Sequence, residues 1–113
     1  MTEEEYKQVM SDYGFSVVED DLASPGLYYV AFYGNIENWQ NAFAAFDTEN
    51  GEVTSYTKLY FEKSLGISVV KDKKIDTKDI NELRPVVKDL AEQYKNLLIV
   101  QKKEEIKKDF ENE

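Results

Sequence analysis

Residues 42–56 read Ala-Phe-Ala-Ala-Phe-Asp-Thr-Glu-Asn-Gly-Glu-Val-Thr-Ser-Tyr, and the fold turns on them. Asn50-Gly51 is a hairpin signal, because both residue types accept the positive φ that a tight turn between antiparallel strands demands. Such a turn needs a strand on each side. That tips residues 36–46 toward a strand, although Ile36, Trp39, Phe43 and Phe46 would also suit one face of a helix. Residues 52–62 then return as the partner strand, with Val53, Leu59 and Phe61 on one face and Tyr56 and Tyr60 on the other.

Upstream, residues 27–33 form the clearest strand, closed by Gly34-Asn35. It is apolar on both faces, which places it inside the sheet. Residues 15–19 are a short β-branched strand, and Ser24-Pro25-Gly26 marks a turn. Downstream, residues 67–70 give another strand and 71–74 a polar turn. Ahead of them all, Tyr6, Val9, Met10 and Tyr13 make one stripe of a helix over residues 3–12. Thr2 and Glu5 are spaced as a capping box, and Gly14 closes the helix. From Asp79 the pattern turns helical: Ile80, Leu83, Val87, Leu90, Tyr94 and Leu97 step by three and four. Pro85 fits if that helix begins near Asn81, where a missing N–H falls in the first turn. Continuous to Phe110, it would have roughly 28 residues and span about 42 Å. The last turns should then project, or the chain should bend back near Asn96. The expected fold is α+β: an antiparallel sheet of four or five strands, with a short N-terminal helix and a long C-terminal helix on one face. Residues 1–113 read as one domain, an acidic aromatic-rich unit over 1–76 followed by a helical segment over 77–113.

Charge carries most of the functional information. The formal net charge is −9 and the pI about 4.5. Through Thr57 there is one base, Lys7, against eleven acids, and the remaining 13 bases and 12 acids nearly cancel. Thirteen of the fifteen aromatics also lie between Tyr6 and Phe61. Direct nucleic-acid binding needs a basic surface, and so does adhesion to anionic membrane; neither is expected here. No apolar run approaches the roughly 18 residues of a membrane span, and the N-terminus is acidic where a signal peptide is basic, so a cytoplasmic chain is expected. With no cysteine and no histidine, disulfides, thiolate metal sites and imidazole mechanisms are absent.

Catalytic patterns are thin. Glu19-Asp20-Asp21, and Asp47 with Glu49, are paired carboxylates of the kind acid/base chemistry uses, and equally of the kind any solvated turn carries. A calcium loop fails: with Gly51 at the invariant glycine, Phe46 falls on the first ligand position and Thr57 on the bidentate one. There is no phosphate-binding glycine loop and no nucleophile elbow, and Lys63-Ser64 is a bare adjacency. No cofactor and no metal is expected, and the chain reads as a non-enzyme.

Leu27-Tyr-Tyr-Val-Ala-Phe followed by Phe43-Ala-Ala-Phe-Asp-Thr-Glu-Asn-Gly-Glu-Val53 resembles the hairpin of PepSY-type domains, where a strand ends in an Asp-x-x-x-Gly-Glu-Val turn. The resemblance covers residues 14–56 and implies a helix packed on an antiparallel sheet. The chain departs from that family in its long C-terminal helix and in lacking the usual secretory or membrane context. It implies no functional residue.

Three functions are expected from these features. The first is a protein-binding module whose acidic face, Glu19, Asp20, Asp21, Glu37, Asp47, Glu49 and Glu52, engages a basic protein partner, with Tyr28, Tyr33, Tyr56 and Tyr60 as an aromatic interface. A nucleic-acid-binding protein would be such a partner, and a small acidic chain could occupy its channel as phage and mobile-element inhibitors of the anti-CRISPR or anti-restriction type do. The second is an assembly protein that homodimerises through Leu97, Leu98, Ile99, Val100, Ile106 and Phe110, because 97–100 is apolar right around a helix. The third, least supported by motif, is a carboxylate- or metal-dependent enzyme.

Overall fold

A computed structural model describes residues 1–20 and 26–111, with side chains through 108. The Ser24-Pro25 turn signal and Asp21 lie outside the described residues. The element order is α1 (Glu3–Asp12), β1 (Ser16–Asp20), β2 (Tyr28–Phe32), a 3-10 turn (Trp39–Asn41), β3 (Ala42–Asp47), β4 (Glu52–Tyr56), β5 (Leu59–Glu62), β6 (Gly66–Val69), β7 (Lys74–Thr77) and α2 (Ile80–Glu111). Five strands form one antiparallel sheet in the order β1-β2-β3-β4-β7, and β5 and β6 pair separately. The α+β architecture is the expected one.

The hairpin is present with a longer loop than Asn50-Gly51 alone. Asp47 and Glu52 are register partners, so residues 48–51 make the connection. Gly51, at φ +69°, donates its N–H to the Asp47 carbonyl at 2.9 Å. Residues 36–46 divide: the second half is β3, while Trp39–Asn41 is a 3-10 turn capped by the Asn38 side chain, which accepts from Gln40 N–H at 3.1 Å. Residues 52–62 are two strands, not one. The chain leaves the first sheet after Tyr56 and β5 pairs with β6, because Gln93 on α2 takes over the backbone at the break, accepting from Leu59 N–H at 2.8 Å and donating to the Thr57 carbonyl at 3.0 Å. The polar stretch 71–74 is a turn only at its start. From Lys74 it becomes β7, whose Val53–Thr77 and Ser55–Ile75 register completes the sheet.

Both helices cover the same face. Alternation sends Ala31, Ala44, Phe46 and Val53 to that side, where they meet Tyr6, Val9 and Met10 of α1 and Leu83, Val87 and Leu90 of α2. Tyr6 stacks on Phe46 with centroids 5.2 Å apart. A bulge between Ala31 and Phe32 leaves Phe43 unpaired and turns it into the core against Phe15 and Tyr33. The capping box at Thr2 and Glu5 is formed. Helix α2 starts at Ile80, its end held by the Asp79 carboxylate on Asn81 N–H at 2.8 Å. Pro85 therefore stands in the second turn, where it withholds one N–H from the exposed Asn81 carbonyl. The helix does not double back at Asn96. Its 32 residues run about 48 Å, and the molecule is 55 Å long by 29 and 25 Å.

A candidate protein-binding face

Among the described residues, neither helix lies on the face of the five-stranded sheet opposite the core, although Phe32 is buried there against Trp39 of the 3-10 turn and Val30 is buried beside it. Register sorts the side chains of this face into rows. Asp20, Tyr28, Asp47 and Glu52 are successive cross-strand partners across β1, β2, β3 and β4. Two residues further along come Val18, Val30, Ala45, Thr54 and Asp76, and beyond them Phe32, Ala42, Tyr56 and Lys74. Rows on one face are about 7 Å apart along a strand, and neighbouring residues within a row lie about 5 Å apart. The first row thus sets three carboxylates and one phenol side by side. Asp47 and Glu52 face each other directly, a like-charge placement that costs stability. The Asp47 carboxylate also accepts from Glu49 N–H at 2.9 Å, which fixes it at the loop entrance. In the second row, Asp76 accepts from the Thr54 hydroxyl at 2.6 Å.

The apolar part of this face is partly open: Ala42, Ala45 and Tyr56 are half-buried, while Val30 and Phe32 are buried. A groove of about 310 Å³ runs over Val30, Ala42, Ala45, Thr54 and Tyr56 toward Lys74. It shares Trp39, Ala42 and Tyr56 with a second groove of about 420 Å³ that continues past Tyr60, Leu65, Ser68 and Val69 to Lys71. Trp39 meets Phe32 edge to face at 5.2 Å yet stays 52% exposed; Tyr60 is 39% and Leu65 56% exposed. Gln40 braces the junction, its amide donating to Ser68 Oγ and to the Leu65 carbonyl, both at 2.9 Å.

Structure gathers some of the expected residues and disperses others. Asp20, Tyr28, Asp47, Glu52 and Tyr56 share the face opposite the helices. Glu19 points to the helix side with Tyr29, near Lys7, whose ammonium lies 4.2 Å from the Tyr29 ring. Lys7 is paired with Glu3 at 2.9 Å, and that hydrogen bond raises its pKa. Glu37 sits on the 35–38 loop with its N–H on Asn35 Oδ1, and Glu49 sits in the hairpin loop. Tyr33 is buried: its hydroxyl donates to the Ile67 carbonyl at 2.8 Å, and burial pushes its pKa up to about 12, so it is a core residue and not an interface one. On α2, Leu97 packs against the core, whereas Leu98, Ile99, Val100 and Ile106 are exposed; the Phe110 side chain lies outside the described part. Trp39, Val30, Ala45, Leu65 and Asp76 belong to the face and were not expected there. Alternation in β2 and β3 could have assigned Val30 and Ala45; Trp39 and Leu65 arrive from loops, for which periodicity gives no signal.

Lys63 and Ser64 pair with different carboxylates. Lys63 meets Glu104 at 3.3 Å, and the Ser64 hydroxyl donates to Glu62 at 3.1 Å, so each has a partner other than its neighbour. Among the described residues no group of three or more acids is placed to hold a metal ion, and no helix is long and apolar enough to cross a membrane. Compared with protein-family models, with curated proteins and with solved structures, the chain has no significant match in any of the three.

Proposed function

We propose that the protein is a binding module that docks a basic protein partner on the face of its five-stranded sheet opposite the helices. One observation carries this reading: Asp20, Asp47 and Glu52 stand in one row on that face, with Asp47 and Glu52 opposed across the strands. Opposed like charges work against folding, and a cationic partner relieves them. Association would be steered by charge and weakened by salt. The narrower reading, an inhibitor occupying the channel of a nucleic-acid-binding protein, draws its support from the net charge of −9.

The test is capture of partners from source-cell lysate at low and high salt. It compares the wild type with Asp47→Asn/Glu52→Gln, and with Glu4→Gln/Glu92→Gln, an equal loss of charge at helix positions away from the sheet face. The expected result is a salt-sensitive partner lost by the first variant and kept by the second. Equal retention by both variants overturns the reading.

A second reading has its own observation. Ile99 and Ile106, seven residues apart on the second half of α2, are 50% and 48% exposed and fall on one stripe. Self-association there would show in sedimentation at micromolar concentration and vanish in Ile99→Asp/Ile106→Asp. A wild type that sediments as a monomer removes it.

A further inference from the structure

We infer that the partner segment is bipartite: an extended stretch with cationic side chains at one end and a single large apolar side chain about 13 Å away, the latter seated between Trp39 and Tyr56. This rests on the proposed function and specifies the chemistry of its ligand.

The face has a built polarity along the strand direction. At one end stands the row of Asp20, Asp47 and Glu52. Two rows on, four residues along the strand and about 13 Å away, the surface has become aromatic, with Tyr56 in the row and Trp39 above it. Here the two grooves meet at Trp39, Ala42 and Tyr56. Their volumes of about 310 and 420 Å³ lie in the range of small-ligand pockets, enough for one bulky side chain. The wall is ready to receive it: Trp39 is half exposed but held in place by its edge-on contact with Phe32, so little side-chain freedom remains to be lost on binding. An aromatic anchor pocket beside a charged rim is the usual anatomy of an interface whose energy is concentrated in few residues. Lys71 and Lys74 line the grooves at this aromatic end, Lys74 as the cross-strand partner of Tyr56. They repel a second cationic cluster and favour a carboxylate, which fixes the order of the segment as cations, spacer, apolar anchor, acid.

An extended chain covers about 13 Å in four residues, so a matched probe is the peptide Lys-Arg-Gly-Ser-Gly-Trp-Glu. Amide shifts of the isotope-labelled full chain are followed while the peptide is added up to millimolar concentration. Control peptides replace Trp by Ser, or Lys-Arg by Glu-Glu. The expected result is shifts over Val30, Ala42, Asp47, Glu52 and Tyr56, with binding weakened about tenfold or more by either peptide change. Trp39→Ser should match the loss from the Trp-to-Ser peptide, and Asp47→Asn/Glu52→Gln the loss from the Glu-Glu peptide. Equal binding of the Trp and Ser peptides, with loss only on removing charge, overturns the bipartite ligand and leaves the acidic docking face standing. Shifts confined to the 98–106 stretch of α2, or no shifts, overturn both.

Discussion

Tyr33 joins the two sheets. It starts from the end of β2, lies against Phe43 and Tyr94, and sends its hydroxyl to the Ile67 carbonyl of β6. Gly34 comes next at φ +65°, and a Cβ there would stand 2.9 Å from the Tyr94 hydroxyl, so the chain turns away from the sheet at a position only glycine fits. Tyr33→Phe keeps the packing and loses that hydrogen bond. It should destabilise the protein by about 0.5–1.5 kcal/mol in urea unfolding at neutral pH. The pH profile should change too. The Tyr33 pKa is about 12 in the folded protein against 10.0 ordinarily, so the folded state holds its proton more tightly. Its contribution is complete below pH 10 and is lost as the pH rises from 10 toward 12. Burial raises Tyr6, Tyr29 and Tyr94 as well, so the wild type loses stability at alkaline pH from all four groups and Tyr33→Phe from the other three, with a shallower slope. An equal alkaline slope in both proteins would show that Tyr33 does not contribute. The burial of Tyr33 was not legible in sequence, where five strand tyrosines look alike; its depth comes from β6, a strand far along the chain that supplies the Ile67 carbonyl.

At the scale of elements, the β3–β4 hairpin carries the conflict between folding and binding. Its loop is held by the Asp47 carboxylate and carbonyl, both of which accept backbone N–H groups, so Asp47 has a structural duty. Glu52 contributes to the loop through its backbone, donating its N–H to Asn50 Oδ1 at 2.9 Å, a bond that any side chain at position 52 would keep. Glu52→Lys should therefore stabilise the protein by about 0.2–1 kcal/mol by converting a repulsive cross-strand pair into an attractive one. Thermal unfolding at low salt would show the gain, which should shrink as salt is added, and partner binding should fall. A lower melting temperature would count against the opposed-charge argument. The hairpin was readable because turn chemistry and alternation are local. The break between β4 and β5 was not, because residues 52–62 keep an acceptable alternation throughout. The element that divides them is Gln93, a partner from α2. Strand β7 was missed for a related reason: Lys74-Ile-Asp-Thr carries charge at alternate positions, as an edge strand with one open face should, and looks like a turn by composition.

Over the whole molecule, α2 does two jobs. Its first half closes the core through Leu83, Val87 and Leu90. Its second half lies along β5 and β6, where Leu97 packs, Lys63 meets Glu104, and residues as far as Lys108 line a cavity of about 260 Å³ with Phe61 and Gly66. The Cα radius of gyration is 15.4 Å, against about 13 Å for a compact domain of this length. Ending the chain after Glu104 should change stability by less than about 1 kcal/mol, since residues 105–108 are exposed and Lys63 keeps its surface partner. Ending it after Lys95 removes Leu97 from the core edge and should cost about 2 kcal/mol or more. Urea unfolding of the two truncations separates these outcomes; equal losses would mean that the final turns carry stability of their own.

The sequence by itself determined the features that nearest neighbours control. Capping chemistry set the start of α1, hairpin chemistry the β3–β4 turn, and the three-and-four spacing the direction and reach of α2. It also determined the acidity of the first half. Only the tertiary structure decided which acids act together. Strand register put Asp20, Asp47 and Glu52 in one row and turned Glu19 to the other side, and two loops brought Trp39 and Leu65 to the groove. The physical reason is range. Propensity, capping and periodicity act over a few residues, whereas a shared face is made by pairing between strands far apart in the chain, and a shift of one residue in register would exchange every side chain on it.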